Sequence, residues 1–208
     1  MKQRVGILIS GRGSNMAALI DAAARPDYPA EIVLVIANRA DAAGLDHAAR
    51  QGIATQVIAS RPFGTDRAAH EQAVDAALRA AGCAYVCLAG YMRLLTPFLV
   101  QNWAGRMINI HPSLLPAFSG LDTHQRALAA GVKLHGCTVH LVTDGMDEGP
   151  ILAQAAVPVR DEDNASTLAA RVLAQEHRLY PAALAALITG SARAADPDCA
   201  LVNPCISG

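Results

Sequence analysis

The chain is poor in aromatic residues: Phe, Trp and Tyr make up 4% of its 208 residues, with a single tryptophan. Any core must therefore be aliphatic, and a hydrophobic content of 52% supplies enough material for a sizeable one. Long basic runs are missing and the net charge is −1, which argues against a nucleic-acid surface, because such a surface needs clustered Lys and Arg. Long apolar runs are missing as well. Stretches such as residues 32–37 fall far short of the roughly 20 residues that span a bilayer. The five cysteines (Cys83, Cys87, Cys137, Cys199 and Cys205) contain no C-x-x-C pair, and their odd number suits a reduced compartment, so a cytoplasmic protein is expected. The apolar run near the N-terminus is too brief for a signal peptide and leads straight into a glycine-rich turn; it reads as a first strand.

What is present is a rhythm. Short aliphatic strands are predicted near residues 4–9, 31–37, 55–58, 85–89 and 107–110, with Ala-rich helices near 15–24, 43–51, 66–81 and 97–102 between them. This alternation predicts an α/β fold, a Rossmann-like, doubly wound and mostly parallel sheet. The strands do not alternate polar with apolar, as expected when helices cover both faces. After Pro116 the pattern changes. A helix is predicted near 123–130, two longer strands near 135–142 and 151–158 that pair antiparallel, and one long helix over 164–187 capped by Asn164 or Ser166. Residues 1–193 are expected to form one domain, and the weakly periodic residues 194–208 a loosely ordered tail.

The most informative segment is 107–116. A short buried strand would deliver Asn109 and His111 to its C-terminal end, where a proline-containing turn follows. Residues two apart on a strand point the same way. An amide donor and a titratable imidazole side by side suit oxyanion stabilisation and proton movement. The acidic, glycine-containing loop 143–150, with Asp144 and Asp147, lies about thirty residues on and can bring a carboxylate to the same place. Asp beside Gly is also a turn signature, so either carboxylate alone could merely hold the loop.

Residues 10–15 (Ser10, Gly11, Arg12, Gly13, Ser14, Asn15) join the first strand to the first helix. Glycines and free N–H groups at a helix start favour an anion such as a phosphate. The plain alternative is a tight turn with Ser14 as N-cap. A full G-x-G-x-x-G is absent and no Lys follows, which disfavours a nicotinamide cofactor and a P-loop. The loop after the fourth strand carries Met92, Arg93, Leu94 and Leu95, a lone cation among apolar neighbours at a strand end; it suits a flat ligand, or is a plain surface loop whose Arg93 makes an ordinary ion pair. Among the seven histidines, His135 and His140 lack metal spacing and no metal is expected, while His124 sits at a predicted helix start.

Taken together, residues 10–15, 90–93, 109–116 and 146–150 resemble the phosphoribosylglycinamide formyltransferases, within the wider class of formyl-tetrahydrofolate enzymes. The resemblance runs from about Arg4 to Pro181. It implies formyl transfer from 10-formyltetrahydrofolate, as co-substrate, to the amine of 5-phosphoribosylglycinamide in de novo purine biosynthesis. It implies small-molecule substrates only, no metal, and a monomer or homodimer. Carried over by position, it implies a catalytic set of Asn109, His111 and Asp147. It places the ribonucleotide on Gly13, Ser14 and Asn15, and on Leu173, Ala174, Gln175 and Glu176. It places the folate on Arg67, Met92, Arg93, Leu94 and Leu95, on Asn109, and on Thr143, Asp144, Gly145, Met146 and Asp147. Arg12 and the apolar Leu173 depart from the family pattern, and Arg67 is placed across a one-residue length difference.

Overall fold

The structure is a computed structural model and describes residues 1–190. The expected tail over 194–208 lies outside the described residues. Seven strands form one sheet in the order β3-β2-β1-β4-β5-β6-β7. They are β1 (Gln3–Ile9), β2 (Ala30–Ala37), β3 (Ala54–Val57), β4 (Tyr85–Leu88), β5 (Met107–His111), β6 (Leu134–Leu141) and β7 (Ile151–Pro158). Pairings are parallel from β3 through β5 and antiparallel for β5–β6 and β6–β7. The expected mostly parallel sheet with an antiparallel C-terminal portion is what the chain forms.

Helices cover both faces: α1 (Ser14–Ala23), α2 (Gly44–Arg50), α3 (Arg67–Ala80), α4 (Pro97–Asn102), α5 (Thr123–Ala129) and α6 (Ala165–Thr189). Alternate residues of β1 sort into two cores. Val5, Ile7 and Ile9 pack with Met16, Leu19, Tyr180 and Leu184 on the α1/α6 face. Leu8 packs with Val74, Leu78, Leu99 and Trp103 on the α3/α4 face. Period-two alternation thus separates two apolar faces rather than core from solvent. Gly6 lets α3 come close, since a Cβ there would lie 2.4 Å from Leu78 Cδ2.

Local signals set the helix ends. The Asp66 carboxylate accepts from Ala69 N at 2.9 Å and caps α3. Asn164 caps α6 in a reciprocal box with Thr167, and Gly190 closes it in the left-handed region. Two tyrosines fasten α6. The Tyr180 hydroxyl, shared between two neighbouring strands, reaches Leu88 O at 3.0 Å and Ile108 O at 3.1 Å. Tyr28 donates to Pro181 O at 2.7 Å, inside the helix where that proline interrupts the backbone ladder. A long amphipathic helix is thereby held against the strands that carry the site.

Candidate active site

The point of strand-order reversal lies between β1 and β4, and the loops that follow these strands are adjacent. The first, residues 10–13, leads into α1. Gly13, at φ 70, is the N-cap and Ser14 is the first helical residue, with no side-chain cap bond. This corrects the capped-turn reading of Ser14: no side chain spends the first N–H groups of α1. A Cβ at Gly13 would lie 3.2 Å from Gly44 Cα, at the start of α2, so the loop is braced from outside. Asn15 Nδ2 donates to Glu176 Oε2 at 2.6 Å, bringing α6 to the same loop. Burial of Glu176 raises its pKa, and the Asn15 hydrogen bond partly offsets this. Leu173 lies one turn back on the same side of the helix as Glu176, whereas Ala174 is exposed.

The second loop follows β4. Met92 and Leu94 are exposed although apolar. Arg67, at the start of α3, reaches Leu94 O at 3.5 Å, so the residue assigned across a length difference does stand beside this loop.

Asn109 and His111 leave β5 as predicted, and the antiparallel partner supplies a residue the sequence reading passed over. His140 sits directly opposite Asn109 in the β5–β6 register. His140 Nδ1 donates to Leu141 O at 2.9 Å, so Nε2 is the acceptor in the neutral ring. Burial lowers the His140 pKa and favours that neutral form. Asn109 Nδ2 donates to His140 Nε2 at 3.3 Å, which orients the amide. Only the β5–β6 register reveals this pairing, and no motif spacing encodes it.

Asp147 arrives by a different route. Because β6 runs antiparallel, it ends beside Ile108, three residues or about 10 Å before His111. Residues 142–150 therefore follow the carboxyl end of their own strand, which the antiparallel course of β6 puts at the opposite edge from the other two loops. The loop folds back over the sheet, with Asp147 itself at φ 57. Its Oδ2 lies 3.3 Å from His111 Nδ1 and its Oδ1 lies 3.7 Å from His140 Nε2. Gly120 N also donates to Asp147 Oδ2 at 2.9 Å. His111 Nε2 donates to Phe118 O at 3.0 Å. Both ring nitrogens of His111 thus face acceptor oxygens.

Of the remaining loop residues, Thr143, Asp144 and Met146 are exposed and Gly145 is half-buried. A Cβ at Gly149 would fall 1.7 Å from Leu141 O, so only glycine permits the return into β7. His135 stands apart: it meets His124 Nδ1, at the start of α5, at 3.1 Å and the Phe118 ring edge-on. Among the described residues no group of His, Cys, Asp and Glu is arranged to hold a metal ion, and no helix is long and apolar enough to cross a membrane.

Comparison with known proteins bears on the family and the fold. The formyl transferase family model matches residues 3–184. The chain is 47% identical over 190 residues to the trifunctional purine biosynthetic protein adenosine-3 of Homo sapiens, covering 91% of this chain but only 19% of that protein's length. It is 40% identical to the phosphoribosylglycinamide formyltransferase of Haemophilus influenzae, covering 93% of this chain and 91% of the relative. The crystal structure of phosphoribosylglycinamide formyltransferase from Brucella melitensis superposes with a TM-score of 0.87 at 59% identity, covering 91% of this chain and 97% of that one. With most of its length matched by the family model and by a relative of similar size, this chain belongs to the formyl transferase family.

Proposed function

We propose that this chain transfers the formyl group of 10-formyltetrahydrofolate to the primary amine of 5-phosphoribosylglycinamide, a step of de novo purine biosynthesis. The observation that carries the reading is the continuous set of contacts Asn109–His140–Asp147–His111, flanked on one side by an uncapped helix start and on the other by an exposed apolar loop.

The ribonucleotide phosphate lies against Gly13, Ser14 and Asn15, where N–H groups converge. Glu176 is the polar group of α6 that meets the same substrate; Leu173, Ala174 and Gln175 complete that stretch. The folate lies along Met92, Arg93, Leu94 and Leu95, with Arg67 behind them and residues 143–147 across from them. Exposed Met92, Leu94 and Met146 supply the apolar surface that a flat ring system needs.

The amine attacks the formyl carbon, and negative charge develops on the formyl oxygen. Asn109 has two amide protons; His140 takes one, and the other is free to donate to that oxygen. His111 exchanges its Nε2–H from the Phe118 carbonyl to the charged oxygen, which is the stronger acceptor. Asp147 faces Nδ1 and supports the imidazolium. The attacking amine loses a proton towards Asp147, directly or through water, and His111 gives one to the departing folate nitrogen. No covalent enzyme intermediate is required; positioning and electrostatics carry the step. A cytoplasmic location belongs to the same proposal, supported by the free thiols of Cys83, Cys87 and Cys137.

The test is to follow folate absorbance on mixing the protein with the formyl donor, with and without the ribonucleotide. Release only in its presence is expected. Equal release without it would identify a hydrolase that delivers formate and would overturn the transferase reading.

A further inference from the structure

The two substrate loops are joined by one side chain. Along β1 and β4 the parallel ladder runs out through Ala89 N to Leu8 O at 2.9 Å and Ser10 N to Gly90 O at 3.2 Å. The next donor in line is Met92 N. By then the first chain has turned away at Gly11, and no backbone carbonyl takes this donor. The Ser10 hydroxyl takes its place, accepting from Met92 N at 2.8 Å. Ser10 is only 8% exposed, so water is a poor substitute. The first residue of the ribonucleotide loop thus holds, by its backbone and its side chain, the start of the folate loop.

The folate loop has a second anchor, independent of the first. Glu71 of α3, 2% exposed, accepts from Thr96 N at 2.8 Å and from the Thr96 hydroxyl. Between the two anchors stand Met92 at 73% and Leu94 at 57% exposure, the apolar surface left for a ligand. Glu71 ties this loop to a helix that carries none of the ribonucleotide residues. Ser10 ties it to the strand from which the ribonucleotide loop springs.

We propose that Ser10 is a positioning residue that couples the two substrate subsites. A ligand that orders one loop holds Ser10 in place and lowers the entropic cost of ordering the other, so each substrate tightens its partner by the same factor. This rests on the loop assignments given under the proposed function.

The experiment is calorimetric titration with the ribonucleotide, alone and in the presence of 5,8-dideazafolate, which has no formyl group to transfer. The ratio of the two dissociation constants is the coupling factor. The wild-type factor is expected near fivefold, the low end for coupled sites. Ser10→Ala should bring it close to one and speed hydrogen exchange at the Met92 amide. Thr96→Val frees the other end of the same loop. It should weaken the folate analogue several-fold yet leave the coupling factor intact. A wild-type factor of one overturns the proposal, as does full coupling in Ser10→Ala. So does an equal loss of coupling in Thr96→Val, which would assign the effect to general loop loosening. Turnover by the wild-type protein keeps the two readings apart. Absence of ribonucleotide-dependent release sinks the functional assignment; normal turnover with a factor of one sinks the coupling alone.

Discussion

The parallel part of the sheet and its antiparallel return build the site by different means. In the parallel part, β1, β4 and β5 all point to one edge, and the loops that follow them, with Asn109 and His111, collect there through topology alone. In the return, β6 ends at the other edge, and a fold-back through Gly149 and a left-handed Asp147 is needed to carry one carboxylate to His111. The first mechanism tolerates much variation in sequence. The second depends on a few particular backbone conformations.

The largest expected effect falls on the parallel side. Asn109→Ala should lower kcat by roughly 10²–10³, the scale for losing one oxyanion donor, with modest changes in either KM. Steady-state kinetics of the folded variant checks this, and a near-normal kcat would leave Asn109 as a turn residue. His140→Phe sharpens the comparison, because it keeps a ring opposite Asn109 and removes the acceptor. Its kcat should fall about tenfold, the scale of one neutral hydrogen bond. Equal losses in the two variants would mean that the donor is worthless unless the return orients it.

Next comes the contribution of the fold-back. Asp147→Asn keeps shape and the tolerance for positive φ but removes the charge 3.3 Å from His111 Nδ1. A loss of at least about tenfold in kcat is expected. Combined with His111→Ala, it should be little worse than the worse single variant, because groups acting as a unit are not additive. Full additivity of the two losses would separate the residues mechanistically.

Similar in size, but on binding rather than turnover, is the expected effect of Gly13→Val in the ribonucleotide loop. A β-branched residue at φ 70, pressed against Gly44, obstructs the backbone approach that a phosphate needs. The ribonucleotide KM should rise about tenfold, from roughly 1–2 kcal/mol of backbone strain, with the folate KM nearly unchanged. A rise confined to the folate KM would reassign the loop.

The smallest effect concerns pH. Histidines with lowered pKa lie in the return and the segment beside it. Burial, then the neighbouring His124, pushes His135 down to about 4; burial also lowers His124 and His140. A histidine lowered in the folded state binds its proton later than the unfolded chain does. Its contribution to stability is therefore complete above the ordinary value near 6.5 and is lost as pH falls towards about 4. Urea midpoints should drop between about pH 7 and about pH 4.5, and His135→Phe should shrink that drop. An unchanged slope in the variant would place the acid sensitivity elsewhere.

The legibility of the sequence follows the same division. Strand positions at β1, β2, β4 and β5 could be read because short, largely buried apolar runs have few alternatives. The cap at Asn164 and the antiparallel pair were readable from cap chemistry and strand length. His140 was not, because its role depends on the β5–β6 register, which no local pattern records. The fold-back was not, because left-handed backbone at a non-glycine residue leaves little trace beyond an Asp in a glycine-containing loop. The alternative of Ser14 as a cap suits its chemistry, yet with Gly13 at φ 70 as the N-cap the helix starts at Ser14 itself.

Asp147 stands where it costs the folded state something, although its Oδ2 accepts from Gly120 N. A non-glycine residue in the left-handed region costs about 1 kcal/mol, and its carboxylate is largely withdrawn from water between two imidazoles. Glycine at this position would relax the backbone and remove the buried charge together. A library of this chain selected only for heat resistance should therefore drift away from Asp147 before it disturbs the core. Thermostable descendants that keep the aspartate would be those in which selection also demanded turnover.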